Sequence, residues 1–313
     1  MKLLINKKEM HFISVSWKGS KYGAARSLSI VLPSSPKDVN VPKYTISAGD
    51  SVIYIDELGN EIFRGVVFYK EKSFHGNTIS ITAYDYLIYL LKSKTAYNLK
   101  TTTPSQMLKK ISNESGISVG TIADAYITVK TDVYIDYSYY DIIMDVYKKV
   151  SAITKEKYFL SINRGKLNAL NAGKEIKNFS LENYKNISDS TYTETIENVI
   201  NRVIAVDDKG KRIGVYNGSN QNKWGIFQCV YQKEEKKNVE IEAKKLFHGA
   251  DLQATISAMG DTRCISGYGV RIKEPYTGLI GLFYIEEDEH NWENGVYTMN
   301  LTLNFKNIMD GAS

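Results

Sequence analysis

The densest concentration of chemically capable side chains is Glu286-Glu287-Asp288-Glu289-His290, a run of acids ending in an imidazole. Such a run could offer oxygen ligands to a metal or the acid of a glycosidase. Either task needs groups that converge on one point, whereas consecutive strand residues point to alternate faces. The run therefore reads as a solvated charged hairpin. His11, His75 and His248 lie far apart, with no cysteine or serine motif beside them. His248 follows a helical pattern, where a donor suits the terminal carbonyls, and reads as a helix-end contact. Cys229 and Cys264 are too few for a disulfide framework or a zinc ligand set and read as buried free thiols. Asp207-Asp208-Lys209-Gly210 lacks the spacing of a calcium loop and reads as a turn.

The spacings H-E-x-x-H, G-x-x-x-x-G-K-[ST] and G-x-G-x-x-G, which encode zinc helices and phosphate cradles, do not occur, and G-x-S-x-G occurs once, as Gly116-Ile117-Ser118-Val119-Gly120, just after a helical pattern rather than between a strand and a helix as a nucleophile elbow requires. The expectation is a protein with no catalytic residues, no cofactor and no metal. Trp17, Trp224 and Trp292, with 23 tyrosines against 10 phenylalanines, could form a sugar-stacking platform. Cores and subunit interfaces use the same residues, so only exposure separates the two readings.

Charge narrows the partners. Lys and Arg minus Asp and Glu is 12 − 8 over residues 1–93, 14 − 10 over 94–190 and 14 − 17 over 191–313, which sums to the net +5. Bases and acids are interleaved rather than gathered on one face, which argues against sequence-specific nucleic-acid binding. The opening MKLLINKKEMHFISV carries only a short apolar stretch before Lys7 and Lys8, so neither an export signal nor a membrane anchor is expected.

The elements fall into three segments. Residues 1–93 read as strands, with alternation in Leu28, Ile30 and Leu32, in Val52 and Tyr54, and in Ile79 and Ile81, broken by turn formers at Pro33–Pro36 and Gly59-Asn60. They suggest a small antiparallel barrel closed by Tyr86–Leu91, read as a helical turn although so short a run does not separate helix from strand. Residues 94–190 read as an inserted α/β domain. Thr103-Pro104-Ser105-Gln106 has capping-box spacing with proline at the first helical position, Met107, Leu108 and Ile111 share a face, and Gly116 is the stop. Ser138 opens a second helix with Ile142, Val146 and Val150 inward, and Asn163-Arg164-Gly165-Lys166 marks a hairpin after Tyr158–Ile162. Residues 191–313 return to strands, Val199–Val206 and Ile213–Tyr216 first. One helix over Val239–Phe247, apolar at Ile241, Ala243, Leu246 and Phe247, reads as the plug of a barrel end.

The two β-rich ends repeat one another. Gly49-Asp50-Ser51-Val52 parallels Gly267-Tyr268-Gly269-Val270, and Arg64–Tyr69 parallels Ile280–Ile285 after turns at Gly59 and Gly278. Both then enter a charged hairpin, Lys70–Gly76 and Glu286–Gly295, with an aromatic and a histidine, so that His75 and His290 read as equivalent turn residues. Three chains with two related barrels each would present six similar units about one axis.

Across nearly its full length the chain resembles the XkdQ-type and late-control-D-type hub proteins of contractile phage tails and phage-tail-like bacteriocins. The resemblance rests on Phe63-Arg64-Gly65 with Ala83-Tyr84-Asp85, the Thr-Pro-x-Gln helix start and the Tyr158–Leu167 hairpin. It also rests on Glu197–Val203, Lys223-Trp224-Gly225-Ile226, and Gly278-Leu279-x-Gly281 through Asp288-x-His290. It implies a mainly β fold with two tail-tube-like barrels, 1–93 and 191–313, around the inserted domain 94–190. It also implies a homotrimeric, non-enzymatic baseplate hub of the virion or tail-like particle. That hub would adapt a sixfold tube, or the tape measure, to a threefold spike among other baseplate proteins. Candidate ring or interface strands are those carrying Val52, Tyr54, Val66, Phe68, Val270, Ile272, Leu282 and Tyr284, with alternate residues facing core and neighbour. The competing reading is a tail-tip cell-wall hydrolase or glycan-binding module, which would need a convergent carboxylate pair. A stacking tube protein is disfavoured, since it needs only one barrel per chain.

Overall fold

Strict alternation of apolar and polar residues at the start of the chain produces strands with one buried face, as a half-wet sheet requires. In the computed structural model, which describes residues 1–23, 25–35, 37–73, 75, 77–307 and 309, these are β1 (Lys2–Ile5), β2 (Lys8–Met10), β3 (Ser14–Ser20), β4 (Ser27–Pro33), β5 (Ser51–Ile55), β6 (Glu61–Ser73) and β7 (Thr78–Asp85). Leu28, Ile30, Leu32, Val52, Tyr54, Ile79 and Ile81 are all buried. Pro33, expected in a turn, ends β4, while Pro36, Phe74 and Gly76 lie outside the described residues. The ambiguous run after β7 is helix α1 (Leu87–Lys92), with Leu87 and Leu90 buried.

The next stretch holds β8 (Lys94–Asn98), β9 (Thr101–Thr102), α2 (Pro104–Ser115), β10 (Val119–Ile122), β11 (Val129–Lys130), β12 (Val133–Ser138), α3 (Tyr139–Thr154), β13 (Tyr158–Asn163) and β14 (Lys166–Asn171). Local chemistry sets both long helices. Thr103 Oγ1 accepts from Gln106 N at 3.2 Å while Gln106 Oε1 accepts from Thr103 N at 3.1 Å, and Gly116 closes α2 at φ 73°. Ser138 caps α3, and the β13–β14 turn has Arg164 at φ 48° and Gly165 at φ 74°, a pair of positive angles that suits a two-residue hairpin. Met107, Leu108, Ile111, Ile142, Val146, Val150, Tyr158 and Leu160 share one core, each such side chain contributing about 1.5–3 kcal/mol by leaving water. A second core holds Leu3, Trp17, Leu28, Ile30, Val52, Tyr54, Phe63, Ile81 and Trp292.

The remaining elements are β15 (Glu175–Glu182), β16 (Ile187–Thr195), β17 (Arg202–Val206), β18 (Arg212–Asn217), α4 (Gln221–Trp224), β19 (Gln228–Gln232), α5 (Val239–Lys245), β20 (Asp251–Met259), β21 (Gly269–Glu274), β22 (Leu279–Glu293) and β23 (Val296–Asn304). By its contacts the chain forms two units, one of residues 1–190 with 255–313, the other of residues 191–254. The large sheet, most of whose strands lie in the first unit, runs in the order β16-β20-β23-β22-β3-β4-β7-β6-β5-β1-β2, with β21 beside β22 and β15 beside β21. The fold is mainly β, and this strand order is open, ending at β16 and β2.

The second unit is a three-stranded sheet, β18-β17-β19, with β17 and β19 parallel and α5 packed on β17 and β18. Helix α5 therefore covers its own small sheet. Ala243 is its buried residue, while Ile241, expected on the apolar side, is exposed because the sheet is too small to cover more than one strip of the helix.

Three of the 23 tyrosines bury the ring and hand the hydroxyl to a carboxylate at the core edge. Tyr97 donates to Glu114, Tyr134 to Asp145 and Tyr158 to Asp124, each at 2.6 Å. Burial pushes the phenol of Tyr158 up to about 12, the Asp124 carboxylate adding to the effect.

Candidate functional site

The acidic run is not a solvated hairpin. Strand β22 extends through it to Glu293, and the turn comes only at Asn294 (φ 52°) and Gly295 (φ 76°). The run is paired on both edges, with β23 on one side and β3 on the other, so alternate residues point into the core. Asp288 and His290 are fully buried as a result. The correction extends to His75, which lies in an exposed turn and is not the counterpart of His290.

A buried carboxylate must be paired or neutral. Asp288 Oδ1 accepts from Arg26 Nη1 at 3.0 Å and from Ser266 N at 2.6 Å, and Oδ2 accepts from Arg26 Nη2. Burial works against the charged form, but Arg26 and the nearby His290 outweigh it and hold the Asp288 carboxyl down to about 2. The guanidinium lies 4.0 Å from the Trp17 ring, a cation–π contact on its flat face. Gly19, opposite Asp288 in the β3–β22 ladder, leaves the space: a Cβ there would stand 2.0 Å from Arg26 Nη1. Nothing in the local sequence around Arg26 or Gly19 signals this cluster, because its members meet only through strand pairing.

The cluster lacks the geometry of nucleophilic catalysis. His290 Nε2 donates to the Cys264 carbonyl at 3.1 Å rather than facing its thiol, and Nδ1 lies 2.9 Å from Tyr297 Oη. Burial pushes the Cys264 thiol well above its usual range, away from the reactive thiolate. Cys264 is buried and Cys229 half-buried. Among the described residues no group of three His, Cys, Asp or Glu side chains is placed to hold a metal ion, and no helix is long and apolar enough to cross a membrane. Trp17 and Trp292 are buried and Trp224 is half-buried, which removes the first two from any sugar-stacking surface. His248 is exposed and holds Asp251 Oδ1 at 2.6 Å, not a helix carbonyl.

The sequence motifs turn out to be packing devices. Gly65 lies opposite Asp85, and a Cβ at Gly65 would stand 2.1 Å from Tyr84 O, so Phe63-Arg64-Gly65 and Ala83-Tyr84-Asp85 are two sides of one close strand contact. In the second unit Asn201, 3% exposed, joins two other motifs. Its Nδ2 donates to Gly225 O at 2.8 Å and its Oδ1 accepts from Phe227 N at 2.9 Å, tying Glu197–Val203 to Lys223–Ile226 and the residue that follows.

Strands β5–β6–β7 and β21–β22–β23 are built alike. Each set is entered by a glycine in the left-handed region, Gly49 at φ 94° and Gly267 at φ 97°. Gly49 N donates to Val67 O at 2.8 Å and Gly267 N to Ile285 O at 3.0 Å, with Val67 N returning to Asp50 O and Ile285 N to Tyr268 O, both at 2.9 Å. Each long strand then has a bulge, between Val67 and Tyr69 and between Ile285 and Glu287. The bulge bends the strand so that its first half pairs with the strand before and its second half with the strand after. This register matches Val66 to Tyr284, two residues from the sequence alignment, which set Val66 against Leu282. A two-residue slip keeps every side chain on the same face.

Of the ring candidates, Val52, Tyr54, Val270 and Ile272 face the interior of the chain and are fully buried. Val66, Leu282 and Tyr284 are half-buried, and Phe68 is exposed, edge-on to Tyr84 at 5.5 Å between ring centroids.

The fold is that of phage tail proteins. It superposes on the 43 kDa tail protein of prophage MuSo2 from Shewanella oneidensis with a TM-score of 0.70 at 13% identity, covering 96% of both chains. It superposes less closely, at a TM-score of 0.57 and 10% identity over all of this chain and 79% of the other, on the E. coli c3393 protein, a type VI secretion component described as similar to T4 tail proteins gp27 and gp5. In sequence it is 28% identical to the phage-like element PBSX protein XkdQ of Bacillus subtilis strain 168, over 96% of this chain and 94% of that protein. The chain belongs to the YQBQ-like family, whose model matches residues 15–304.

Proposed function

We propose that the chain is the baseplate hub of a contractile tail or phage-tail-like particle, a homotrimer whose ring adapts a sixfold tail tube to a threefold spike. The observation that carries this is the double construction of the sheet, with the same glycine entry, backbone bonds and bulge in β5–β6–β7 and β21–β22–β23. On this reading residues 1–93 and 191–313 contribute two related tube-like barrel units, with 94–190 inserted and 191–254 an outgrowth of the second. Two like units per chain turn threefold into pseudo-sixfold symmetry, which a threefold ring needs in order to dock onto a sixfold tube. The partners are the tube or tape-measure protein, the spike and other baseplate proteins. The sequence likeness to a phage-like element protein, and the fold likeness to a prophage tail protein and to a component described as similar to gp27 and gp5, support it. The role is geometric and non-enzymatic, exercised in the assembled particle.

The test is the solution mass by light scattering coupled to size exclusion, over a concentration series and with the neighbouring spike protein added. A trimer, alone or with spike, supports the hub. A monomer under every condition overturns it and brings cell-wall hydrolysis and glycan-binding assays forward.

A further inference from the structure

The parallel ladder between β15 and β21 is interrupted, and the interruption opens a trough within the first unit. Glu175 stands opposite Gly269 and Ser180 opposite Arg271, so five steps along β15 answer two along β21. The surplus residues form a wide bulge that turns at Asn178, φ 54°. Arg263 holds the bulge in place. Its Nη1 donates to Lys177 O at 3.4 Å, and its guanidinium lies 5.0 Å from the centre of the Phe179 ring.

Between this bulge and the segment Arg263–Tyr268 lies a space of about 880 Å³, lined by Ile176, Ile265 and Tyr268 and by Lys174, Lys177 and Arg263. The apolar members make its floor, Ile176 buried and Ile265 and Tyr268 half-buried, and the three cations are exposed on its rim. Neighbouring charges are already committed: Glu175 pairs with Arg271 at 2.9 Å and Asp261 with Arg263 at 2.7 Å. The ammonium groups of Lys174 and Lys177 are left with no ion pair among the described residues. The Tyr268 hydroxyl likewise has no hydrogen bond among them, while its ring is held edge-on to Phe159 at 5.6 Å between centroids.

We propose that this trough binds an acidic peptide segment of a partner protein. One apolar side chain of the segment packs among Ile176, Ile265 and Tyr268, and flanking Asp or Glu residues pair with Lys174 and Lys177. Charge complementarity selects the chemistry, since a neutral or basic occupant would cover two ammonium groups and answer neither. Shape selects a peptide over a small molecule. The trough is wide and open on one side, whereas a small ligand needs most of its surface covered. An extended stretch alternates its side chains, so one residue can enter the floor while its neighbours reach the basic rim. The Tyr268 hydroxyl supplies a further donor to a carboxylate or a peptide carbonyl. The proposal does not rest on the hub reading, because it needs no contact between copies.

The test is selection of random dodecapeptides displayed on phage against the full chain, followed by fluorescence anisotropy of the enriched peptide. The expected result is enrichment of sequences with Asp or Glu beside an apolar residue, and binding that weakens as salt is raised. Lys174→Glu with Lys177→Glu should weaken it by at least about tenfold, and Tyr268→Phe, which keeps the ring, by about threefold. Both lysines are exposed, so the charge reversal leaves the core untouched. Enrichment of basic or uncharged peptides, acidic peptides whose binding survives the charge reversal, or no enrichment at all overturns the proposal. So does a charge-reversed variant whose solution mass differs from that of the unaltered chain, since the trough is then a contact between copies.

Discussion

Arg26 and Asp288 form a two-pronged ion pair, the carboxylate fully buried and the arginine side chain 10% exposed, across the place where the two related halves of the sheet meet. They lie at opposite ends of the chain, on the turn before β4 and in the middle of β22. The pair makes the β3–β22 seam specific: a slip of one residue would turn Asp288 to the other face and strand a buried guanidinium.

Removing either partner leaves the other charge buried and unpaired. Arg26→Ala or Asp288→Ala is expected to cost about 3–5 kcal/mol, measured by urea denaturation. Replacing both at once is expected to cost less than the sum of the single losses, because no charge is then left behind.

Gly19→Ala should act through the same pair, since its Cβ would occupy the space of Arg26 Nη1. A loss of about 2–4 kcal/mol is expected in the unaltered background. In an Arg26→Ala background the same change should cost under about 1 kcal/mol, and a double-mutant cycle measures the difference.

Two buried carboxylates, Asp288 and Asp85, titrate in opposite senses. Asp288 is held down to about 2, below an unfolded value of about 3.9, so its contribution is present above about pH 4 and is lost as pH falls through about 4 to 2. Burial pushes Asp85 up to about 7 despite the Leu87 N–H that binds its Oδ1 at 2.9 Å. The folded chain therefore holds an extra proton between about pH 4 and 7, and stability falls by up to about 1.4 kcal/mol per pH unit as pH rises through that window. Asp85→Asn should flatten this slope, and Asp288→Asn should remove the Asp288 share of the acid-side loss. Urea midpoints from pH 3 to pH 8 read both.

Asn201→Ala removes the clasp between the two backbone segments of the second unit. The part-buried Phe227 N–H and Gly225 carbonyl lose their side-chain partner, at about 1 kcal/mol. Limited proteolysis should then cut within residues 191–254 before any other part of the chain, and in the unaltered protein it should not.

What could be read from the sequence was what is decided within a few residues. The Thr103 box, the Gly116 and Ser138 helix ends, the Arg164-Gly165 turn and the burial of Leu28, Ile30 and Leu32 follow from local hydrogen bonding, backbone angle and alternation. The doubled β-rich ends were legible too, to within the two-residue offset between Val66 and its partner, because glycine spacing records a bulge only loosely. Where side chains meet across the sheet was not legible. Asp288 looks solvated in its run of acids and becomes a buried charge once β3 covers one edge of β22 and β23 the other. The reason is physical: a residue's environment in a sheet is set by the strands beside it, and these come from distant parts of the chain.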